Sequence, residues 1–216
     1  MDYQSARDNM VTNQLRCWDV SDPAVLAAMS TVNRERFAPE PLAAFAYCDQ
    51  PLALGETAQM LAPQIQGRLL QTVAIQPGDR VLDVGSGSGY LAAVMAALGA
   101  QVVSVEIDPD LASVARSNLL AEGVAGVNIE QGDAAQGWHG GPFDVIVVTA
   151  AVSEDGDCFA KDLKIGGRLF MFVGTAPVVK ARLVRRVAED EWLSEELFET
   201  AVEPLVNRVE AEAFEF

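Results

Sequence analysis

Residues 81–90 read VLDVGSGSGY. An apolar run closes on Asp83 and Val84, and glycines then follow at alternate positions, Gly85, Gly87 and Gly89. The alanine-rich stretch 90–98 comes next. That order is the pattern of a buried strand, a tight turn and a helix. A turn stripped of side chains lets a ligand approach the backbone at the carboxyl end of a sheet.

The same alternation continues outward. Strand-like runs at 80–84, 101–106, 127–130, 143–148 and 167–173 are interleaved with helical stretches at 90–98, 109–122 and near 158–163. The runs from Val81 and Val145 are apolar on both faces, as in a parallel sheet covered by helices. Upstream, ARDNMVTNQL spaces Met10 and Gln14 as a helix does, and DPAVLAAM opens with an Asp cap followed by Pro. Residues 37–63 read as a loop-rich connection. Downstream, VKARLVRRVAED and EWLSEELFETAV read as two strands joined by a polar turn. The expected fold is α/β, with a mostly parallel central sheet, helices on both faces, an antiparallel C-terminal edge and an N-terminal helical extension. One domain is expected over 1–216, with the extension at 1–62, a binding core at 63–176 and edge strands at 177–216.

Composition narrows the function classes. A chain of 216 residues forms one substantial core, and half apolar with 21% charged is an ordinary globular balance. The apolar stretches fall short of the ~20 residues a membrane helix needs. The opening MDYQSARDNM lacks the basic-then-apolar order of a secretory leader. Cys17, Cys48 and Cys158 are odd in number and irregularly spaced, which points to buried thiols in a reducing cytosol and to no metal site. A cytoplasmic location is therefore expected. The net charge of −16 repels phosphate backbones and argues against a nucleic-acid partner. Acids crowd 188–199 and 209–216, as on a solvated face. Nothing in the pattern fixes an oligomeric state.

Two adenosine-containing cofactor classes compete for the glycine turn. A dinucleotide loop spaces its glycines G-x-G-x-x-G, and Gly89 comes one place too early for that. Asp83 discriminates further: a carboxylate at the mouth of the loop opposes a pyrophosphate but compensates the amino and sulfonium charges of S-adenosylmethionine. Glu106, at the end of the second strand of the alternation, is placed to accept from ribose hydroxyls, a feature both classes share. Gly132 and Asp133, after the next strand, stand where an adenine amino group would be met. The expected cofactor-binding set is Asp83, Gly85, Ser86, Gly87, Ser88, Gly89, Glu106, Ile107, Gly132, Asp133, Ala134 and Thr149.

With these motifs placed, the chain resembles the protein-L-isoaspartate O-methyltransferases. The likeness runs through MVTNQL, VLAAMSTVNRERFAPE, AYCDQPLALG, VLDVGSGSGYLAAVMA, GDAAQGW, PFDVIVVTAAV and LKIGGRLFMFVG. It implies a Rossmann-like methyltransferase that esterifies the abnormal carboxylate of isoaspartyl residues and so begins repair of aged proteins. Such a carboxylate, with a pKa near ~4, is already ionised at neutral pH and needs no general base. His139 reads as an exposed loop residue.

The chain departs from the family pattern in the acceptor loop. Where the family has L-P-I-G-x-G-Q-T-I-S-Q-P, residues 52–63 read LALGETAQMLAP. The family's hydroxyl position is Leu61 and its preceding threonine is Gln59. No catalytic residue is assigned, and Thr57, Gln59, Met60 and Leu61 are the expected substrate-binding positions. The family's V-R-F-V-P-L is represented by TAVEPL, residues 200–205, which puts Glu203 near the acceptor if it faces the site. Three readings stay open at this point: isoaspartate methylation, methylation of a different protein or small-molecule acceptor, and a non-catalytic S-adenosylmethionine-binding module.

Overall fold

The computed structural model describes residues 2–153 and 158–208. Two short strands, β1 (Leu52–Ala53) and β2 (Gln59–Met60), pair antiparallel as a hairpin. Seven more form one sheet: β3 (Arg80–Val84), β4 (Gln101–Glu106), β5 (Val127–Gln131), β6 (Phe143–Val152), β7 (Leu163–Thr175), β8 (Val178–Ala188) and β9 (Glu191–Thr200). Their spatial order is β5-β4-β3-β6-β7-β8-β9, parallel from β5 to β7 and antiparallel from β7 to β9. The chain builds outward from β3 to β5 on one side and then returns to lay β6 on the other. The place where that order reverses is where open α/β sheets bind ligands.

Period-two alternation sorts the strand residues between two cores. Val81, Val145, Val147, Phe170 and Phe172 face one cluster, while Leu82, Ile146, Val148, Leu169 and Met171 face the other. Side chains from α2 (Pro23–Thr31), α3 (Pro63–Val73), α4 (Tyr90–Ala97) and α5 (Pro109–Ala121) fill the first cluster. The second is closed by Phe159, Ala160 and Leu163 with Trp138 and Trp192 packed against it. The helix expected near 158–163 is therefore corrected. Only a 3-10 turn, Ala160–Asp162, stands there before β7 begins at Leu163. The strand expected at 143–148 runs on to Val152, and that expected at 167–173 starts four residues earlier.

Caps set the helix starts. Asp22 accepts from the amides of Ala24 and Val25 ahead of α2, with Pro23 at its first position, as the sequence suggests. Asp108 does the same for Asp110 and Leu111 at α5. In the N-terminal extension, α1 (Tyr3–Asn9) continues through a π-helical turn, Met10–Leu15. Buried Arg34 ties this extension to the hairpin. Its guanidinium donates to the Leu61 and Ala46 carbonyls, each at 2.7 Å, and to Gln66 Oε1, and lies 4.8 Å from the Tyr90 ring centroid. Buried carbonyls without such a donor would each cost about 1–3 kcal/mol.

Three expectations meet the surface. Cys17 is exposed and Cys48 and Cys158 are half-buried, with Cys158 at the edge of the second core cluster, so the expectation of buried thiols is corrected. His139 is exposed at 79% of its side chain, as expected. Glu191, Glu195, Glu196 and Glu199 of β9 are exposed, in keeping with a solvated acidic face, while 209–216 lies outside the described residues. No helix among the described residues is long and apolar enough to cross a membrane.

Candidate active site

A cavity of about 380 Å³ opens at the carboxyl ends of β3, β4, β5 and β6. Its floor is the glycine turn. Gly85 has φ +97°, a conformation that side chains rarely adopt, and a Cβ there would collide with Thr149 Oγ1. The Thr149 hydroxyl donates to the Val84 carbonyl at 2.9 Å, which fixes the turn against β6. Glu106 lines the cavity and steadies its neighbours. One carboxylate oxygen accepts from the Gly87 amide at 2.8 Å and the other from the Asp108 amide at 3.1 Å. Lone pairs remain on both oxygens for a ligand's hydroxyls. Ile107, Gly132, Asp133 and Ala134 complete that wall, with Asp108 and Leu111, which sequence reasoning did not single out.

Asp83 is elsewhere, and the expectation that it stands at the mouth of the loop is corrected. It is fully buried beneath the turn and does not line the cavity. The register explains this: Asp83 pairs with Ser104 across β3 and β4, so both side chains point into the helical layer. Ser104 Oγ lies 2.7 Å from Asp83 Oδ2 and donates to it, and 2.6 Å from Ser86 Oγ, a hydroxyl chain from carboxylate to loop. Oδ1 has no hydrogen-bond partner among the described residues. Burial pushes the Asp83 carboxyl up to about 7, against the opposing Ser104 hydrogen bond, and the charge of Glu106 adds to the rise.

The other expected residues divide. Ser86 and Ser88 are buried, and Gly89 sits at the start of α4. Ser86, Ser88 and Met60 line a narrow adjoining cleft rather than the main cavity. Met60 points into the core because strand alternation sends Gln59 outward and Met60 inward. Thr57, Gln59 and Leu61 do line the main cavity, with Leu61 9% exposed.

A strap from the chain's C-terminal part supplies the roof. Residues 202–206 line the cavity. The Ala151 amide donates to the Glu203 carbonyl and the Leu205 amide to the Ala151 carbonyl, each at 2.8 Å, so the strap extends the sheet beside β6. Asn207 Nδ2 donates to Asp133 Oδ2 at 2.9 Å, and Gln59 Nε2 donates to Glu203 Oε1 at 3.0 Å. Glu203 thus faces the site. The charged residues lining the cavity are Glu106, Asp108, Asp133 and Glu203, all acidic, with no base among the described lining residues. A cavity so lined suits a cationic adenosyl ligand and opposes a pyrophosphate.

The comparisons with known proteins agree. Residues 6–210 match the family described as protein-L-isoaspartate(D-aspartate) O-methyltransferase. The chain belongs to that family. It is 39% identical over 208 residues to protein-L-isoaspartate O-methyltransferase 1 of Rhodopseudomonas palustris (strain HaA2), covering 95% of this chain and 84% of that protein. To the protein-L-isoaspartate O-methyltransferase of Methylorubrum extorquens (strain PA1) it is 40% identical over 210 residues, 96% of this chain and 91% of that one. A Plasmodium falciparum structure, described as a protein-L-isoaspartate O-methyltransferase in complex with S-adenosyl-L-homocysteine, superposes with a TM-score of 0.81 over 95% of this chain and 98% of its own. At 22% identity that likeness speaks for the fold. The chain is an S-adenosylmethionine-dependent methyltransferase of the isoaspartate methyltransferase family.

Proposed function

We propose that the protein methylates the isoaspartyl carboxylate of damaged proteins, with S-adenosylmethionine held in the acidic crevice between the glycine turn and the C-terminal strap. The single observation behind this reading is that crevice. Turn, acids and acceptor hairpin, drawn from distant parts of the chain, converge on one cavity whose charged lining is entirely acidic.

The residues present fit the cofactor. Gly85 at φ +97° keeps the turn free of side chains, and the four lining carboxylates suit a cation. In this reading Gly85, Gly87 and Thr149 receive the amino-acid end, Glu106 the ribose, and Ile107, Gly132, Asp133 and Ala134 the adenine. Asp83 acts from below, through Ser104 and Ser86, on the shape and charge of the loop. When bound, the cofactor supplies a methyl group on a sulfonium, which passes to a carboxylate oxygen as the carbon–sulfur electron pair returns to sulfur.

The protein's work is then alignment. The acceptor arrives ionised, so no residue has to take a proton, and the cavity offers no histidine for that purpose among the described lining residues. Holding two reactants in line supplies roughly 7–11 kcal/mol of the barrier reduction. The Arg34 bond to the Leu61 carbonyl keeps the hairpin at a fixed height over the crevice. The strap excludes water from the opposite side. We further propose a cytoplasmic location and proteins rather than nucleic acids as partners, in keeping with the net charge of −16.

The test is transfer of labelled methyl groups to an isoaspartyl peptide beside its aspartyl twin. Base-labile label on the isoaspartyl peptide alone is the expected result. Turnover on other acceptors with none on that peptide would overturn the proposed acceptor while leaving the methyltransferase assignment intact.

A further inference from the structure

We propose that Gln59 supplies the hydrogen bond to the acceptor carboxylate that Leu61 cannot, and that Glu203 occupies the Gln59 amide until an acceptor arrives. The inference rests on the isoaspartyl reading above. It joins two departures from the family pattern that lie 144 residues apart and touch only in the folded chain.

The donor inventory narrows the choice. An acceptor carboxylate needs a donor at the crevice, and the described lining residues offer no lysine, arginine or histidine. Three lining side chains besides these can donate: Thr57, Gln59 and Thr149. Thr149 already gives its proton to the Val84 carbonyl. Gln59 is exposed on the outward face of β2, two residues before Leu61, and its amide carries two hydrogens. One of them already holds a carboxylate, Glu203 Oε1, at 3.0 Å. The amide is therefore shown in the act its role requires, binding a side-chain carboxylate at the rim of the cofactor crevice.

Both partners are fixed from behind. Arg34 grips the Leu61 carbonyl, so the hairpin cannot slide along the crevice. The Ala151 ladder pins the strap at Glu203 and Leu205, and the Asn207–Asp133 bond holds it two residues further on. An incoming carboxylate cannot move these backbones, but it can displace one exposed glutamate side chain. Glu203 is then a stand-in for substrate, and it disfavours weakly held anionic acceptors.

Steady-state kinetics of the full chain with an isoaspartyl peptide test this, alongside the dissociation constant for S-adenosylhomocysteine. Gln59→Leu is expected to raise KM about tenfold or more and lower kcat/KM roughly 10- to 100-fold, the worth of one hydrogen bond to a charged group. Its affinity for S-adenosylhomocysteine should stay within about twofold. Glu203→Ala is expected to lower KM roughly two- to fivefold, as befits an exposed competing charge. Adding Leu61→Ser to Gln59→Leu is expected to recover about tenfold of the loss, because a hydroxyl then replaces the amide. An unchanged KM in Gln59→Leu overturns the assignment. So does a fall in S-adenosylhomocysteine affinity that matches the kinetic loss, which would make Gln59 a cofactor residue. A higher KM in Glu203→Ala overturns the stand-in role. If the wild type binds S-adenosylhomocysteine yet leaves the isoaspartyl peptide untouched, the acceptor reading itself fails and this inference falls with it.

Discussion

Replacing Asp83 by Asn separates the stability of the empty protein from its affinity for a cation. The amide matches the carboxylate in shape and keeps an oxygen for the Ser104 hydroxyl, which now bonds Asp83 at 2.7 Å. What it removes is a fully buried ionisable group whose carboxyl is pushed from 3.8 up to about 7. Between those values the folded protein keeps a proton that the unfolded chain has released. Stability from this group is therefore complete below about pH 4 and is lost as pH rises through 7. About three pH units at 1.36 kcal/mol each make roughly 4 kcal/mol. Urea denaturation of both proteins from pH 4 to 8 should show the variant gaining on the wild type by that order as pH rises. Cofactor affinity should move the other way, falling about tenfold or more at pH 8, where the wild type offers a carboxylate beneath the loop and the variant does not. Denaturation curves that stay parallel at every pH would refute the account of Asp83 as a buried charge held in reserve.

Gly85→Ala places a methyl group at φ +97° against Thr149 Oγ1, strain worth roughly 1–3 kcal/mol before the collision is counted. Calorimetric titration should find S-adenosylhomocysteine affinity reduced about tenfold or more, and wild-type affinity would disprove the turn's role as floor. Arg34→Met leaves the buried carbonyls of Leu61 and Ala46 without their donor, at about 1–3 kcal/mol each. A drop in Tm of roughly 5–20 °C follows for a chain of this size, and thermal unfolding checks it. Asn207→Asp sets a carboxylate against Asp133 Oδ2, where an amide now donates at 2.9 Å. The strap should loosen and the KM for S-adenosylmethionine rise about three- to tenfold, with kcat for a saturating acceptor changed less.

Sequence alone determined the central frame of this protein, and its glycine spacing pointed to the cofactor, because both rest on local patterns. The part of the cofactor argument that set Asp83 at the mouth of the loop did not hold. Val81, Leu82 and Val84 on both faces of a strand, glycines at alternate positions and capping acids at Asp22 and Asp108 act within a few residues of where they stand. Glycine spacing rejected a dinucleotide without any knowledge of packing. Tertiary structure decided everything that depends on which strand lies beside which. Asp83 sits one alternation away from the crevice because its register partner is Ser104 and its face is the helical one, a fact no spacing within 81–90 contains. The sulfur positions misled because burial of a small side chain is set by the layer packed over it, and no layer covers the turn at Cys17. Leu61 and Glu203 were visible as departures from a pattern, but their connection was not. Gln59 and Glu203 meet only because a hairpin before β3 and a strap after β9 close over the same strand ends, and contact across 144 residues leaves no mark on local sequence.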